Sequence, residues 1–260
     1  MIKKGIILAG GMGTRMSPLT KAVNKQLLPL YDKPLIYYPL SVLMLAGIRK
    51  ILIIVNKGQL NQFRKILPEK NNLGISLEYK EQIRPGGLPE AFTIGENFIN
   101  KDSVSLILGD NFFYGQSLTS KLKQSVKLNK GAKVFLHPVK NASAYGVAKI
   151  DKNNKIQKII EKPKKLFSNL AVTGLYFFDN NVIKLSKSLK LSTRKELEIT
   201  DLLNIYRKKN NLKAEFIGRG GTWLDTGNIS DFYDTSNYVS TLEKRQGLKI
   251  ACLEEIALKN

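Results

Sequence analysis

The sequence predicts an α/β fold built on a mostly parallel sheet, with helices on its faces and a smaller antiparallel part. Three observations lead to this prediction. Strand-like and helix-like segments alternate through the first half of the chain. A glycine-rich loop follows the first apolar segment. In the second half, strand-like segments follow one another with short connections, which favours antiparallel pairing.

The first half of the chain alternates between two hydrophobic periodicities. Apolar and β-branched runs predict strands, and apolar positions at helical spacing predict helices. The predicted strands are residues 2–9, 50–55, 75–82, 104–108 and 133–139. The predicted helices are residues 35–46, 58–67, 88–99 and 118–129. This order gives parallel strands joined by helices on both faces, so we expect a Rossmann-like sheet.

The second half of the chain reads differently. Strands are predicted at residues 146–150, 155–161 and 171–178. The segment Asp151–Asn154, between the first two, has the composition of a hairpin turn. We further expect a helix from about Glu196, a strand at residues 213–217 and a helix from Ser230.

Length and composition narrow the class of protein. A chain of 260 residues can bury the core of one large domain. It has no apolar run of membrane-spanning length and no signal-peptide pattern, so we expect a cytoplasmic protein. One cysteine, Cys252, allows neither an internal disulfide nor a zinc cluster. The lone His137 lies in an apolar run, and we expect it to be structural.

The net charge of +21 is unusually high. One interpretation is nucleic-acid binding. The lysines are dispersed, however, and no nucleic-acid-binding motif is present, so a solvated lysine-rich surface explains the charge better. Such a surface would still attract anionic substrates.

The loop after the first predicted strand combines Gly10, Gly11 and Gly13 with the cations Arg15 and Lys25. Glycine permits positive φ and has no Cβ, so backbone N–H groups can approach an anion closely. A strand, a glycine loop and two cations together predict a cradle for a polyphosphate. A plain structural turn is the alternative.

Two common phosphate-binding loops do not fit this segment. A P-loop requires a lysine after its last glycine, and Thr14 follows Gly13. A dinucleotide fingerprint that starts at Gly11 requires a third glycine where Met16 stands. The loop is therefore of another kind.

Two carboxylates are candidate metal ligands. Asp110 follows the predicted strand 104–108, and ligands of open α/β sheets bind beyond the carboxyl ends of the strands. Mg²⁺ takes one or two carboxylates together with substrate phosphates. Asp225 lies beside the only tryptophan, Trp223, and a glycine turn. From the residues alone, Asp110 could equally start a turn, and Trp223 could simply pack in the core.

Residues 10–15, 20–29 and 31–40 resemble the signature of the sugar-1-phosphate nucleotidyltransferase family. The resemblance covers nearly the whole chain. It implies the nucleotide-diphospho-sugar transferase fold as a single domain, 1–260, with a nucleotide-binding half of about 1–140 and a sugar-phosphate-binding half of about 141–260.

The resemblance is strongest to family members that make dTDP-glucose and pyrophosphate from dTTP and glucose 1-phosphate with Mg²⁺, the first step toward dTDP-rhamnose and related sugars. Uridylyl transfer from UTP to the same sugar stays open, and so does a catalytically inactive sugar-nucleotide sensor. The resemblance also implies a homotetramer, or a dimer if the short segment 252–260 matters, with no nucleic acid and no membrane partner.

Site residues follow from the resemblance position by position. The implied nucleotide-binding residues are Leu8, Gly10, Gly11, Gly13, Thr14, Arg15, Lys25, Gln26, Gln82, Pro85, Gly87, Leu88 and Asp110. The implied sugar-phosphate-binding residues are Asn111, Tyr145, Gly146, Glu161, Lys162, Val172, Gly174 and Trp223. The implied metal ligands are Asp110 and Asp225, and the implied catalytic residues are Arg15, Lys25, Lys162, Asp110 and Asp225.

Three further expectations concern single positions. The Gln82 amide offers both a donor and an acceptor, and its chemistry alone suits any pyrimidine. Asn24 departs from the Pro or Ser that often precedes the family's lysine, and we expect a minor effect. The acidic segment Glu196–Asp201 also matches a family motif, and we interpret it mainly as structure.

Overall fold

The strand-like segments of the sequence pair into one large mixed sheet in a computed structural model, which describes residues 1–259. The strands are β1 (Lys4–Ala9), β2 (Pro29–Leu30), β3 (Lys33–Pro34), β4 (Lys50–Asn56), β5 (Ser76–Gln82), β6 (Val104–Leu108), β7 (Asn111–Gly115), β8 (Ala132–Pro138), β9 (Gly146–Ile150), β10 (Ile156–Glu161), β11 (Leu170–Phe178), β12 (Leu212–Phe216) and β13 (Gly221–Asp225).

Nine of the strands in residues 1–259 form the main sheet, in the order β10-β9-β11-β6-β1-β4-β5, with β8 between β11 and β12. The pairs β1–β4, β1–β6, β4–β5 and β8–β12 are parallel. The strands β9, β10 and β11 pair antiparallel, and β11 is also antiparallel to β6 and β8. The predicted mostly parallel α/β sheet with an antiparallel part is therefore confirmed.

Helices cover both faces of the sheet. They are α1 (Tyr37–Leu45), α2 (Leu60–Ile66), α3 (Glu90–Ile94), α4 (Glu96–Ile99), α5 (Leu118–Ser125), α6 (Asn181–Lys187), α7 (Ile199–Lys208), α8 (Ile229–Gln246) and α9 (Leu253–Leu258). The helix predicted at 88–99 is interrupted at Gly95, and the helix predicted at 118–129 ends at Ser125. The helix expected from about Glu196 begins at Ile199, because Glu198 still has extended backbone.

The alternation of side chains along the strands divides the core into two layers. On one face, Ile7 of β1 packs in a buried cluster with residues of α1, α2, α5 and α9, such as Leu43 and Leu122. On the other face, Ile6 packs with residues of α3, α4, α6 and α7, such as Phe92. Successive residues of β1 thus serve opposite layers, as the period of a strand requires.

Four short strands outside the main sheet were not predicted as strands. β7 and β13 form an antiparallel pair outside the main sheet, and β2 pairs with β3 as a short hairpin. The β7–β13 register sets Asp225 opposite Asn111 and Trp223 opposite Phe113. This pair brings the two distant carboxylate segments of the sequence together.

A search for membrane-spanning helices over residues 1–259 finds none with the required length and apolarity.

Candidate active site

The glycine-rich loop leaves β1 at the carboxyl edge of the parallel strands and is held there by Asn56. The Gly11 N–H donates to Asn56 Oδ1 (2.9 Å), and Asn56 Nδ2 donates to the Gly11 carbonyl (2.8 Å). Gly11 has φ 104°, a conformation that costs glycine little. Thr20 Oγ1 closes the far end of the loop by donating to the Gly13 carbonyl (2.8 Å). The loop is therefore fixed in place before any ligand binds.

Lys25 reaches the site through a short helical turn that Asn24 caps. Asn24 Oδ1 accepts from Gln26 N (2.8 Å), while Asn24 Nδ2 donates to Gln59 Oε1 (2.6 Å). Asn24, which stands where the family often has Pro or Ser, thus caps this turn with its own side chain. Lys25 is buried, and its Nζ lies 2.7 Å from Asp110 Oδ2.

Asp110 and Asp225 lie next to each other although 115 residues separate them in sequence. The β7–β13 register places Asp225 beside Asn111, and Thr226 Oγ1 donates to the Asp110 carbonyl (2.8 Å). Burial opposes the charge of both carboxylates. In Asp110 the charge of Lys25 and hydrogen bonds from Lys25 and Asn111 outweigh burial and lower its pKa, whereas burial and the charge of Asp110 raise the pKa of Asp225 to about 7.

This carboxylate pair fits a divalent cation that also binds a ligand's oxygens. The pKa of Asp225 is raised first by burial and then by the charge of Asp110, and a cation bound between the two carboxylates would relieve both effects. Among residues 1–259 no group of three or more His, Cys, Asp or Glu side chains is arranged to hold a metal alone. Mg²⁺ commonly binds through one or two carboxylates and substrate phosphates, so two ligands suffice for it.

Asn111 connects the carboxylates to the core of the site. Its Oδ1 accepts from Trp223 Nε1 (2.6 Å) and from Gly174 N (3.0 Å), so its Nδ2 must point the other way, where it donates to Asp110 Oδ1 (3.0 Å). Trp223 is buried and packs edge-on against Tyr145. Trp223 thus contributes a hydrogen bond to the site as well as apolar surface.

The sugar-phosphate half of the predicted site forms the opposite wall. A Cβ added at Gly174 would lie 2.5 Å from Asn111 Oδ1, and one at Gly146 would lie 3.3 Å from Glu161 Oε2, so the backbone closes tightly there. Burial, followed by the charge of Glu198, raises the pKa of Glu161. Lys162, at φ 40°, follows it at the end of β10.

Residues of the segment 194–200 also line the cleft, which the sequence interpretation missed by treating Glu196–Asp201 mainly as structure. Arg194 NH2 lies 2.7 Å from Glu198 Oε2 and 3.5 Å from Glu161 Oε1. The Leu197 N–H donates to the Gly86 carbonyl (2.9 Å), which ties this segment to the loop after β5. The match of Glu196–Asp201 to a family motif was the signal in the sequence that could have placed this segment at the site.

The cleft between these walls has a cavity volume of about 480 Å³. Most of the predicted site residues line it together: Leu8, Gly10, Gly11, Arg15, Gln82, Pro85, Gly87, Leu88, Asp110, Asn111, Tyr145, Gly146, Glu161, Lys162, Val172, Gly174, Trp223 and Asp225. Gly13, Thr14, Lys25 and Gln26 are not among the lining residues. Lys25 acts on the cleft through Asp110, and Gln26 is buried behind Gly109.

The other lining residues were not predicted. They are Leu108, Ala144, Tyr176, Arg194, Glu196, Leu197, Glu198, Ile199, Thr200, Asn228 and Asp231. His137 lies outside the lining, packed edge-on against Trp223, and burial lowers its pKa.

Comparison with known proteins places the chain in a family. The model of the nucleotidyl transferase family matches residues 4–241, most of the chain. The chain belongs to the nucleotidyl transferase family. A glucose-1-phosphate thymidylyltransferase of Neisseria meningitidis is 51% identical in sequence to this chain. The alignment covers 99% of this chain and 89% of the Neisseria meningitidis protein.

Solved structures of the nucleotidyl transferase family have the same fold. A Bacillus anthracis structure, provisionally assigned as a glucose-1-phosphate thymidylyltransferase and complexed with sucrose, superimposes with a TM-score of 0.83 at 38% identity, covering 90% of this chain and 94% of that one. UDP-glucose pyrophosphorylase complexed with UDP-glucose is more distant in sequence, at 28% identity, with a TM-score of 0.80 and coverage of 93% and 100%.

Proposed function

We propose that this chain transfers a thymidylyl group from dTTP to glucose 1-phosphate, giving dTDP-glucose and pyrophosphate. The observation that carries the proposal is that one cleft is lined by the glycine loop and Arg15, by Glu161 and Lys162, and by Asp110 and Asp225. The name of the Neisseria meningitidis relative, at 51% identity, supports the choice of substrates.

The reaction needs no side-chain nucleophile, because the attacking group is itself an anion. A phosphate oxygen of glucose 1-phosphate forms a bond to the α-phosphorus of dTTP. The bond from that phosphorus to the oxygen bridging to the β-phosphorus breaks, and the electron pair leaves with pyrophosphate. The barrier is then mainly electrostatic repulsion and positioning, which a preorganised set of cations lowers.

The cations of the site have separate tasks in this proposal. Arg15 stabilises the negative charge that grows on the departing pyrophosphate. Lys25 keeps Asp110 ionised and adds positive charge behind it, and Lys162 orients the attacking phosphate. Asp110 and Asp225 are the residues that would hold Mg²⁺, which when bound supplies Lewis-acid polarisation of a phosphoryl oxygen. The fixed glycine loop offers backbone N–H groups to the triphosphate.

The test is a direct assay with the purified chain. Pyrophosphate release is followed with dTTP, UTP, dCTP and dATP, each with glucose 1-phosphate and Mg²⁺, and the sugar nucleotide is identified by anion exchange. We expect kcat/KM to be highest with dTTP. A clear preference for UTP would make the chain a uridylyltransferase instead. Binding of dTDP-glucose without any pyrophosphate release would make it a sensor.

A further inference from the structure

Gln82, at the end of β5 and at the wall of the cleft, has its side-chain amide held in one orientation. Its Nε2 lies 2.5 Å from Glu90 Oε2, at the start of α3. The N–H of Gly86 donates to the same carboxylate oxygen at 2.9 Å. Glu90 itself is not among the residues that line the cleft. Any influence of Glu90 on a ligand therefore passes through Gln82 or the loop.

These contacts determine which end of the amide faces the cleft. A carboxylate only accepts hydrogen bonds, so the NH2 group of Gln82 must face Glu90. The Gly86 N–H is a second fixed donor that requires an acceptor at the same point. The Gln82 oxygen is consequently turned the other way, where a Cβ added at Gly10 would lie 2.5 Å from it. Within residues 1–259, this Oε1 has no hydrogen-bond partner.

From this arrangement we propose that Glu90 is a positioning residue that selects the nucleobase: by fixing the Gln82 amide it presents a hydrogen-bond acceptor to the cleft, and so favours thymine or uracil over cytosine. The inference rests on the proposed function, because it presumes that Gln82 meets the base of a nucleoside triphosphate. It narrows the sequence-based expectation, under which the Gln82 amide suited any pyrimidine.

The discrimination follows from the base edges. Ring nitrogen N3 carries a hydrogen in thymine and uracil and is an acceptor in cytosine. An acceptor fixed at Gln82 pairs with the first two and leaves two acceptors facing each other in the third. Such a mismatch in a buried site costs far more than the loss of an exposed hydrogen bond, because neither group regains water. Gln82 is only 4% exposed, so the mismatch is buried. Thymine and uracil are not separated by this contact.

The experiment compares kcat/KM for dTTP and for dCTP, each with glucose 1-phosphate and Mg²⁺. Glu90→Ala frees the Gln82 amide to turn over, and we expect the dTTP-to-dCTP ratio to fall at least about tenfold from that of the wild type. Glu90→Asp withdraws the carboxylate by one methylene and should lower the ratio in the same direction. In Glu90→Gln the Gly86 N–H still requires an oxygen at that point, so the ratio should stay within about threefold of the wild type.

Glu96→Ala is the matched control. Glu96 is the first residue of the next helix and pairs with Lys187 at 2.7 Å, away from Gln82. We expect its ratio to equal that of the wild type.

A purely structural role for Glu90 would give a different result. If Glu90→Ala raised KM for both nucleotides equally and left the ratio unchanged, the carboxylate would hold the loop without setting the amide, and the inference would be wrong. If Glu90→Ala does not fold, Glu90→Asp decides by the same ratio. A wild-type enzyme that does not use dTTP would refute the proposed function instead.

Discussion

The hydrogen bonds around Asn111 predict that Trp223 and Asn111 stabilise the fold as a coupled pair. The Asn111 oxygen is the acceptor for two buried donors, Trp223 Nε1 at 2.6 Å and Gly174 N at 3.0 Å. Trp223→Phe removes one donor, and Asn111→Leu removes the acceptor with little change in volume. The double variant removes both partners of the Trp223 bond. The three variants form a double-mutant cycle.

The magnitudes follow from counting unpaired groups. Asn111→Leu leaves two buried N–H groups without an acceptor, at roughly 1–3 kcal/mol each, which gives about 2–6 kcal/mol. Trp223→Phe loses one hydrogen bond, worth about 0.5–1.5 kcal/mol net, and leaves the acceptor still satisfied by Gly174. In the double variant only the Gly174 N–H is unpaired. The double variant avoids both the unpaired Trp223 N–H and the separate loss of its hydrogen bond, so it should be about 1.5–4.5 kcal/mol more stable than the sum of the single costs predicts.

Urea unfolding at 25 °C, followed by far-UV circular dichroism, measures the four free energies of unfolding. The slopes against urea concentration must agree among the variants for the comparison to hold. Ser41→Ala, which removes a buried hydroxyl that donates to Tyr38 O (2.7 Å), serves as the control partner because Ser41 has no hydrogen bond to Trp223 or Asn111. Its cost should add to that of Trp223→Phe. Costs of Trp223→Phe and Asn111→Leu that add within about 0.5 kcal/mol would refute the coupling.

Three further predictions concern activity. Gly87→Ala should raise KM for dTTP at least about tenfold, because Gly87 has φ 108° and an added Cβ would lie 2.1 Å from Leu197 O. Gly220→Ala is the control, since its Cβ would lie in open space and KM should not change. Equal KM values for the two variants would refute a role of the loop around Gly87 in nucleotide binding. Arg15→Ala should lower kcat/KM by more than about tenfold, or 1.4 kcal/mol, and a smaller loss of pyrophosphate release would remove Arg15 from the catalytic set. Chelation of divalent cations should abolish turnover and added Mg²⁺ should restore it, whereas full velocity in the chelator would exclude the metal.

The parallel sheet could be predicted because its signals are local. The strand predicted at 104–108 has the same limits as β6, and residues 50–55 lie within β4. Both consist mostly of apolar residues, as expected for strands buried on both faces. The glycine loop at Gly10 and Gly11 could also be predicted, because the residues that suit it to anion binding follow one another closely in sequence.

The residue patterns alone could not predict the strand pair that completes the site, because it joins distant segments. Trp223 and Asn111 are 112 residues apart, and β7 and β13 are strands only because they pair with each other. Each of these strands has a glycine at one end and a polar residue at the other, whereas β6 begins and ends with an apolar residue. Asp225 therefore looked like part of a loop until its partner strand was known.

Arg194 was missed for a related reason. An arginine amid glutamates normally indicates a solvated charged segment. Here the bond between Leu197 N and Gly86 O turns the segment over the cleft, so that Arg194 lies between Glu161 and Glu198. The pattern of charges in the sequence does not show whether a charged segment faces the solvent or a cleft.

The charge of the cleft has the opposite balance to the charge of the whole chain. The net charge is +21, and such a surface steers anions inward. In residues 1–259, however, the acidic residues that line the cleft outnumber the basic ones: Asp110, Glu161, Glu196, Glu198, Asp225 and Asp231 against Arg15, Lys162 and Arg194.

A nucleoside triphosphate and a sugar phosphate would bring several more negative charges into that cleft. Burial and the charge of Asp110 raise the pKa of Asp225 to about 7, so a further negative charge is already disfavoured there before any substrate enters. Lys25 pairs with Asp110 at 2.7 Å, and the charges of Lys25 and Arg15 only partly offset the effects that raise the pKa of Asp225. A substrate-borne divalent cation shared by Asp110 and Asp225 would supply the missing charge where the phosphates meet. The proposed reaction and the proposed metal therefore depend on the same shortage of positive charge in the cleft. Evidence against either one would also count against the other.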